Sequence, residues 1–201
     1  QFLFLINEIP VTEASKKAKM VIENRQKKGE WVCNAPYGYY IHPNHKNQVF
    51  IDEEGSEVVK VIFKLYNQGW GYKRIGHYLT EKKYPTGLML MKKQLEGRDG
   101  NTSKLDKKIN PIWSAITISR IIQNDFYIGT LRQKMWARKG INKSDIRVPK
   151  KDNIVFENHH EAIIDKDVFE KAQEELQHRS TNNYKGVRKY VIPYSGYLFC
   201  A

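Results

Sequence analysis

The sequence predicts an α+β fold: a helical, helix-turn-helix-like core, a small β-hairpin or sheet, and a long helix at the N-terminus. Three observations predict it. Apolar residues recur at i, i+3 and i+4 in several separate stretches. The glycine turn Gly69-Trp70-Gly71 joins two of those stretches at a tight corner, the opening of a helix-turn-helix unit. Beyond Gly129 the pattern shifts to short β-branched and aromatic runs. With 40% hydrophobic and 12% aromatic residues in a chain of 201, there is ample material for a core.

In chain order, residues 1–6 read as a short apolar strand or buried segment, with a break at Pro10. Thr12 then caps a helix running to Lys28 and stopped by Gly29, with Ala14, Ala18, Val21 and Ile22 as a stripe that packs a partner. Residues 30–52 suggest loop and short strands: aromatic residues alternate around the Gly38 turn, and Val49-Phe50-Ile51 is a pairing strand. His42 and His45 have no further ligand at metal spacing and read as surface histidines. Asp52 or Ser56 opens a helix with Val58, Val59, Ile62, Phe63 and Tyr66 inward. The helix after the glycine turn buries Ile75, Tyr78 and Leu79 and points Lys73, Arg74 and Lys82 outward. Residues 84–112 read as a long basic insertion without structure of its own, carrying Lys92, Lys93 and Arg98, placed to lie along a polyanion and order on contact.

Residues 113–124 form the third helix, capped by Ser114, with Ile118, Ile121 and Ile122 as its buried stripe. Ser114, Thr117 and Arg120 recur every three residues on another flank. Short hydroxylated side chains beside one arginine let a helix sit deep in a DNA major groove, where the arginine reaches a guanine or a phosphate. Residues 127–132, including Arg132, and residues 154–156 read as two strands of a hairpin. Its long polar tip, residues 134–151, carries Arg138 and Lys139. A last helix spans residues 165–179, with Asp165 as its cap, and residues 180–189 form a polar linker.

The formal net charge of +12 and a pI near 9.5 point to a polyanionic partner. No run of about eighteen apolar residues exists, so a membrane-spanning segment is not expected. Residues 1–6 are too short for a signal sequence and have no basic segment before them. Two cysteines without a spacing pattern, Cys33 and Cys200, suit a reduced, intracellular, cytoplasmic protein. The chain has no initiator methionine and reads as part of something longer. Gly69, Gly71 and Gly76 lack the spacing of a phosphate-binding loop, and no RNP-type or KH-type RNA motif is present.

Several motifs together resemble one family. They are Ala35-Pro36-Tyr37-Gly38-Tyr39, the helix over residues 57–66, Gly71-Tyr72-Lys73-Arg74-Ile75, Trp113 with Ile118, Ile121, Ile122, Asn124, Tyr127 and Gly129, and His160-Glu161-Ala162-Ile163-Ile164 followed by Phe169. In this order they resemble the recombinase domain of large serine recombinases, the serine integrases and transposases of phages and other mobile elements. The resemblance covers residues 30–190. Residues 1–29 are similar to the end of that family's catalytic domain, and residues 191–201 to the start of its zinc ribbon, with Cys200 as a first metal ligand. It implies a double-stranded attachment site as partner, and dimers or tetramers of the longer protein. It also implies that the catalytic serine lies outside this chain, that no cofactor binds this portion, and that zinc belongs to the longer parent, since zinc takes about four ligands. This portion is then expected to bind DNA without cutting it.

The candidate DNA contacts are therefore Arg25, Lys27 and Lys28 where the first helix ends, and Lys73 and Arg74 at a helix N-terminus that favours phosphate. Lys92, Lys93 and Arg98 follow in the insertion, Ser114, Thr117 and Arg120 on the third helix, and Arg132, Arg138 and Lys139 in the hairpin. Two rival readings are a helix-turn-helix transcriptional regulator and a metal-dependent nuclease built on His159, His160 and Asp165. Against the nuclease, adjacent residues on a strand would point to opposite faces.

Overall fold

A computed structural model describes residues 2–42, 44–45, 47–97, 102–106, 108–138 and 144–182. It is mixed α+β. In order come α1 (Phe2–Lys27), β1 (Tyr39–Ile41), β2 (Val49–Ile51), α2 (Glu53–Asn67), α3 (Tyr72–Glu81), α4 (Gly87–Glu96), α5 (Ser103–Asp106) and α6 (Ala115–Ile122). A 3₁₀ turn over Asp125–Ile128 leads to β3 (Leu131–Gln133), β4 (Trp136–Arg138), β5 (Asp145–Arg147), β6 (Ile154–Phe156) and α7 (Lys166–Asn182). Among the described residues the strands form three separate antiparallel pairs, β1–β2, β3–β6 and β4–β5.

The core is a helical cluster. Asp52 caps α2 by accepting from the Gly55 amide, and α2 buries Val58, Val59, Ile62, Phe63 and Tyr66. Ile75 and Leu79 of α3, Ile118, Ile121 and Ile122 of α6, and Phe169 and Ala172 of α7 close around them. The Pro36–Tyr39 turn is stitched to this cluster by phenol hydroxyls. Tyr37 donates to the Pro85 carbonyl at 2.8 Å, and Tyr39 to the Glu161 carbonyl at 2.9 Å. Tyr127, fully buried, donates back to the Tyr37 carbonyl at 2.9 Å. Burial raises all three phenols well above the ordinary tyrosine value, so they stay neutral donors.

Three expectations are corrected. Residues 2–6 are neither a strand nor cut off at Pro10, because α1 is helical from Phe2 to Lys27. A short apolar run has no period that separates strand from helix, and one proline removes a single donor without ending a long helix here. The α1 stripe is open to solvent in the single chain, with Ala14, Ala18, Val21 and Ile22 exposed. Residues 84–112 are not structureless, since α4 buries Leu90 against the body and α5 follows. Finally, Tyr127 and Ile128 belong to the 3₁₀ turn, and the strand begins only at Leu131, after the left-handed Gly129. The hairpin itself forms as expected, with Leu131 opposite Phe156, while its tip makes a second ribbon, β4–β5.

The joint between α1 and the body is built by backbone capping. Gly29, at φ +72°, ends the helix in the left-handed conformation. The Gly29 amide bonds the Gln26 carbonyl and the Glu30 amide bonds the Arg25 carbonyl, a Schellman closure. His159 donates from Nε2 to the Gly29 carbonyl at 2.7 Å, and Gln133 donates to the Glu30 carbonyl at 2.8 Å.

The placement of α6 depends on a near-touch between α3 and the residues just before and within α6. A Cβ on Gly76 would stand 2.9 Å from the Trp113 carbonyl oxygen and 3.4 Å from Ile118 Cδ1. Next to it, Thr80 donates to the Gly76 carbonyl at 2.8 Å and accepts from the Trp113 amide at 3.1 Å. Gly76→Ala should therefore cost about 1–3 kcal/mol in urea denaturation, because the obstacle is backbone. Gly71→Ser faces open space at an extended N-cap and should instead gain a few tenths of a kcal/mol. Equal stability of the two variants would contradict this packing.

Candidate nucleic-acid interface

The outward side of α6 follows from its buried side. At about 100° per residue, burial of Ile118, Ile121 and Ile122 leaves Ile116, Arg120 and Gln123 pointing away from the core. Ser119 borders this face, and Thr117 stands on its flank. Ile116 is 66% exposed, and Arg120 and Gln123 are exposed beside it. Arg120 makes no ion pair among the described residues.

Both ends of this two-turn helix are closed by side chains. Ser114 accepts from the Thr117 amide at 3.2 Å, and its hydroxyl lies 2.9 Å from Thr117 Oγ1. At the other end, Gln173 of α7 donates to the Ile122 carbonyl at 2.7 Å. Trp113, just before the cap, is buried and donates from its indole to the Tyr84 carbonyl at 3.0 Å. Tyr37 meets it edge-on, with ring centroids 5.1 Å apart. Ser114 and Thr117 are exposed as expected, but their hydroxyls are engaged with each other and with the helix start. Sequence reasoning missed Ile116, Ser119 and Gln123. The wheel drawn through the buried isoleucines contains the signal, whereas the three-residue spacing of Ser114, Thr117 and Arg120 drew attention to a flank.

The other candidate cations divide into two groups. Lys73 and Arg74 are exposed in the first turn of α3, and the Arg74 guanidinium stacks 3.9 Å above the Trp70 ring. Lys27 and Lys28 are exposed at the end of α1, while Arg25 lies 3.8 Å from Glu30. Three charges stand together with carboxylates. Lys92 bridges Asp106 at 2.8 Å and Glu96 at 3.4 Å, tying α4 to α5. Lys93 pairs with Glu54 and ties α4 to α2. Arg132 pairs with Asp125 at 2.7 Å. Arg138 is described by its backbone alone, which pairs with that of Asp145 in the β4–β5 ribbon, and Trp136 of the same ribbon is 62% exposed. Arg98, Lys139 and Cys200 lie outside the described residues.

The His159–His160 pair is corrected in geometry. The two residues follow β6 rather than lying in it, and their rings approach each other, with Nδ1 atoms 3.3 Å apart. Each Nε2 hydrogen-bonds a backbone carbonyl, that of Gly29 for His159 and that of Phe126 for His160. His160 also stacks on Phe126 at 3.8 Å, and burial lowers its basicity. Among the described residues no three His, Cys, Asp or Glu side chains gather in a metal-holding group.

Residues 53–179, more than half of the chain, match the model of the Recombinase family. The chain belongs to this family. The matched stretch contains α2 to α6, the hairpin and most of α7, and lies inside the region where the motifs carry the resemblance. Among solved structures, this Recombinase chain is similar to one described as "Crystal Structure of a LSR-DNA Complex". The identity is 16% over 83% of this chain and 41% of that one, with a TM-score of 0.46. A second, from "Sequence Requirements of the Listeria innocua prophage attP site", is 14% identical over 85% of this chain and 57% of that one, with a TM-score of 0.48. The chain thus spans roughly half the length of these two.

Capping by Ser114 is directly measurable in the Recombinase chain. Ser114→Ala should lower the unfolding free energy by about 1 kcal/mol. A urea midpoint equal to that of the parent would show that the helix start is held by Trp113 alone.

Proposed function

We propose that this Recombinase chain binds a specific double-stranded DNA site by laying the outward face of α6 in the major groove, as the DNA-binding part of a site-specific recombination protein. One observation supports the reading above the rest. An eight-residue helix, capped at both ends and locked against α3, presents Ile116, Arg120 and Gln123 clear of the core, with its arginine unpaired among the described residues. A net charge of +12 supplies attraction to phosphate, and the exposed Lys73 at the start of α3 adds a local contact where helix amides also favour anions.

In this proposal phosphate contacts come from Lys73, Arg74, Lys27 and Lys28, and base contacts from α6. Lys92, Lys93 and Arg132 hold the domain's own carboxylates and contribute less. Cleavage chemistry belongs to a separate catalytic domain of a longer protein, which acts as a dimer or tetramer in the cytoplasm. A zinc ribbon beginning at Cys200 belongs to the same proposal. No helix among the described residues is long and apolar enough to cross a membrane.

The test is a mobility-shift series on a duplex selected from random sequence. Arg120→Ala should relax preference at one position by about 1–3 kcal/mol, with little change in binding to other sequences. Lys73→Ala should weaken all duplexes alike and reduce the logarithmic salt dependence by about one. Both variants binding with parental affinity and preference would remove the assignment.

A further inference from the structure

The outward face of α6 carries one feature that hydrogen bonding and charge leave unused. Ile116 sits at its centre, one turn before Arg120, and remains 66% exposed. Isoleucine offers a base edge neither a donor nor an acceptor. Its β-branched side chain is stiff, so it presents a fixed apolar surface rather than a mobile one. In the major groove the apolar group is the C5-methyl of thymine, which distinguishes T·A from the other pairs together with the O4 acceptor. The polar neighbours match that setting. Arg120 reaches a guanine or phosphate a turn further on, and Gln123 is tied to Ser119 by a 2.8 Å hydrogen bond, which aims its amide along the same face.

Resting on the DNA-binding reading above, we propose that Ile116 is a specificity-determining residue that packs against the 5-methyl group of a thymine in the recognised site. The contact discriminates thymine from cytosine at that position through apolar surface, while Arg120 reads a neighbouring pair. An isoleucine left open to water in the free domain is covered when the groove closes over it.

Deoxyuridine tests this without changing base pairing, because it lacks only the methyl. Each thymine of the selected duplex is replaced in turn by deoxyuridine, and affinity is measured for the parent chain and for Ile116→Ala. At one thymine, or two adjacent ones, the replacement should weaken the parent about fourfold, the value of one buried methyl. Ile116→Ala should bind the thymine duplex more weakly and lose that difference, with an unchanged melting temperature because the side chain is exposed. Specific binding that is indifferent to every deoxyuridine would overturn the inference and leave the DNA-binding reading standing. A methyl effect that persists in Ile116→Ala would also overturn it, since another residue would then read the methyl. No selected sequence at all would fail the underlying reading, and the inference with it.

Discussion

The closeness of α3 to the residue before α6 is the constraint on which the rest depends. Gly76 contributes no side chain, so the Trp113 carbonyl can approach α3 directly, and Thr80 fastens both backbones with one hydroxyl. Trp113 then reaches Tyr84 through its indole and Tyr37 through its ring, joining three separate stretches of chain at one point. An isolated helix of eight residues has too little length to be stable in water. The existence of α6, and the direction in which Ile116 and Arg120 point, therefore come from this crossing and from the isoleucines beneath it, far more than from local propensity.

Charge is distributed with the same economy. The chain is strongly basic, yet Lys92 and Lys93 of the inserted α4 are taken up by Glu54, Glu96 and Asp106, and they tie α4 to α2 and α5. Arg179 behaves similarly, bonding Glu175 and the Trp70 carbonyl and covering the Tyr66 ring, which clamps the turn between α2 and α3. Such exposed pairs individually stabilise little. Their effect is to remove those side chains from competition for phosphate. What is left outward on α6 is one arginine, one amide and an apolar side chain, a set better suited to discrimination than to raw attraction.

The core helices were legible because period and caps agreed. Asp52 and Ser114 start their helices where their hydroxyl or carboxylate chemistry suggests, and every isoleucine assigned inward on α6 is buried. The family motifs were legible too, and their residues turn out to be skeleton: Tyr37, Tyr39, Tyr127 and Trp113 hold the fold and do not face outward. What escaped was whatever depended on long-range partners. Residues 84–112 read as loop because lysines and glycines obscure a stripe of which only Leu90 is buried. The start of α1 offered an apolar run without a period. The ion pairs of Lys92 with Asp106 and of Lys93 with Glu54 join positions far apart in sequence, which no local pattern announces. On α6 the polar spacing of three led to the flank, while the exposed isoleucine at the centre resembled a core residue by type alone.

Methylation interference on the selected duplex shows most directly whether α6 occupies the major groove. Guanine N7 lies in the major groove and adenine N3 in the minor groove, so methylation at each reports which groove is occupied. With α6 in the major groove, N7 methylation at a guanine within the half-site should block binding by the parent chain, and this block should be lost at that guanine in Arg120→Ala. Specific binding that tolerates every N7 methyl and is blocked only from the minor groove would contradict it.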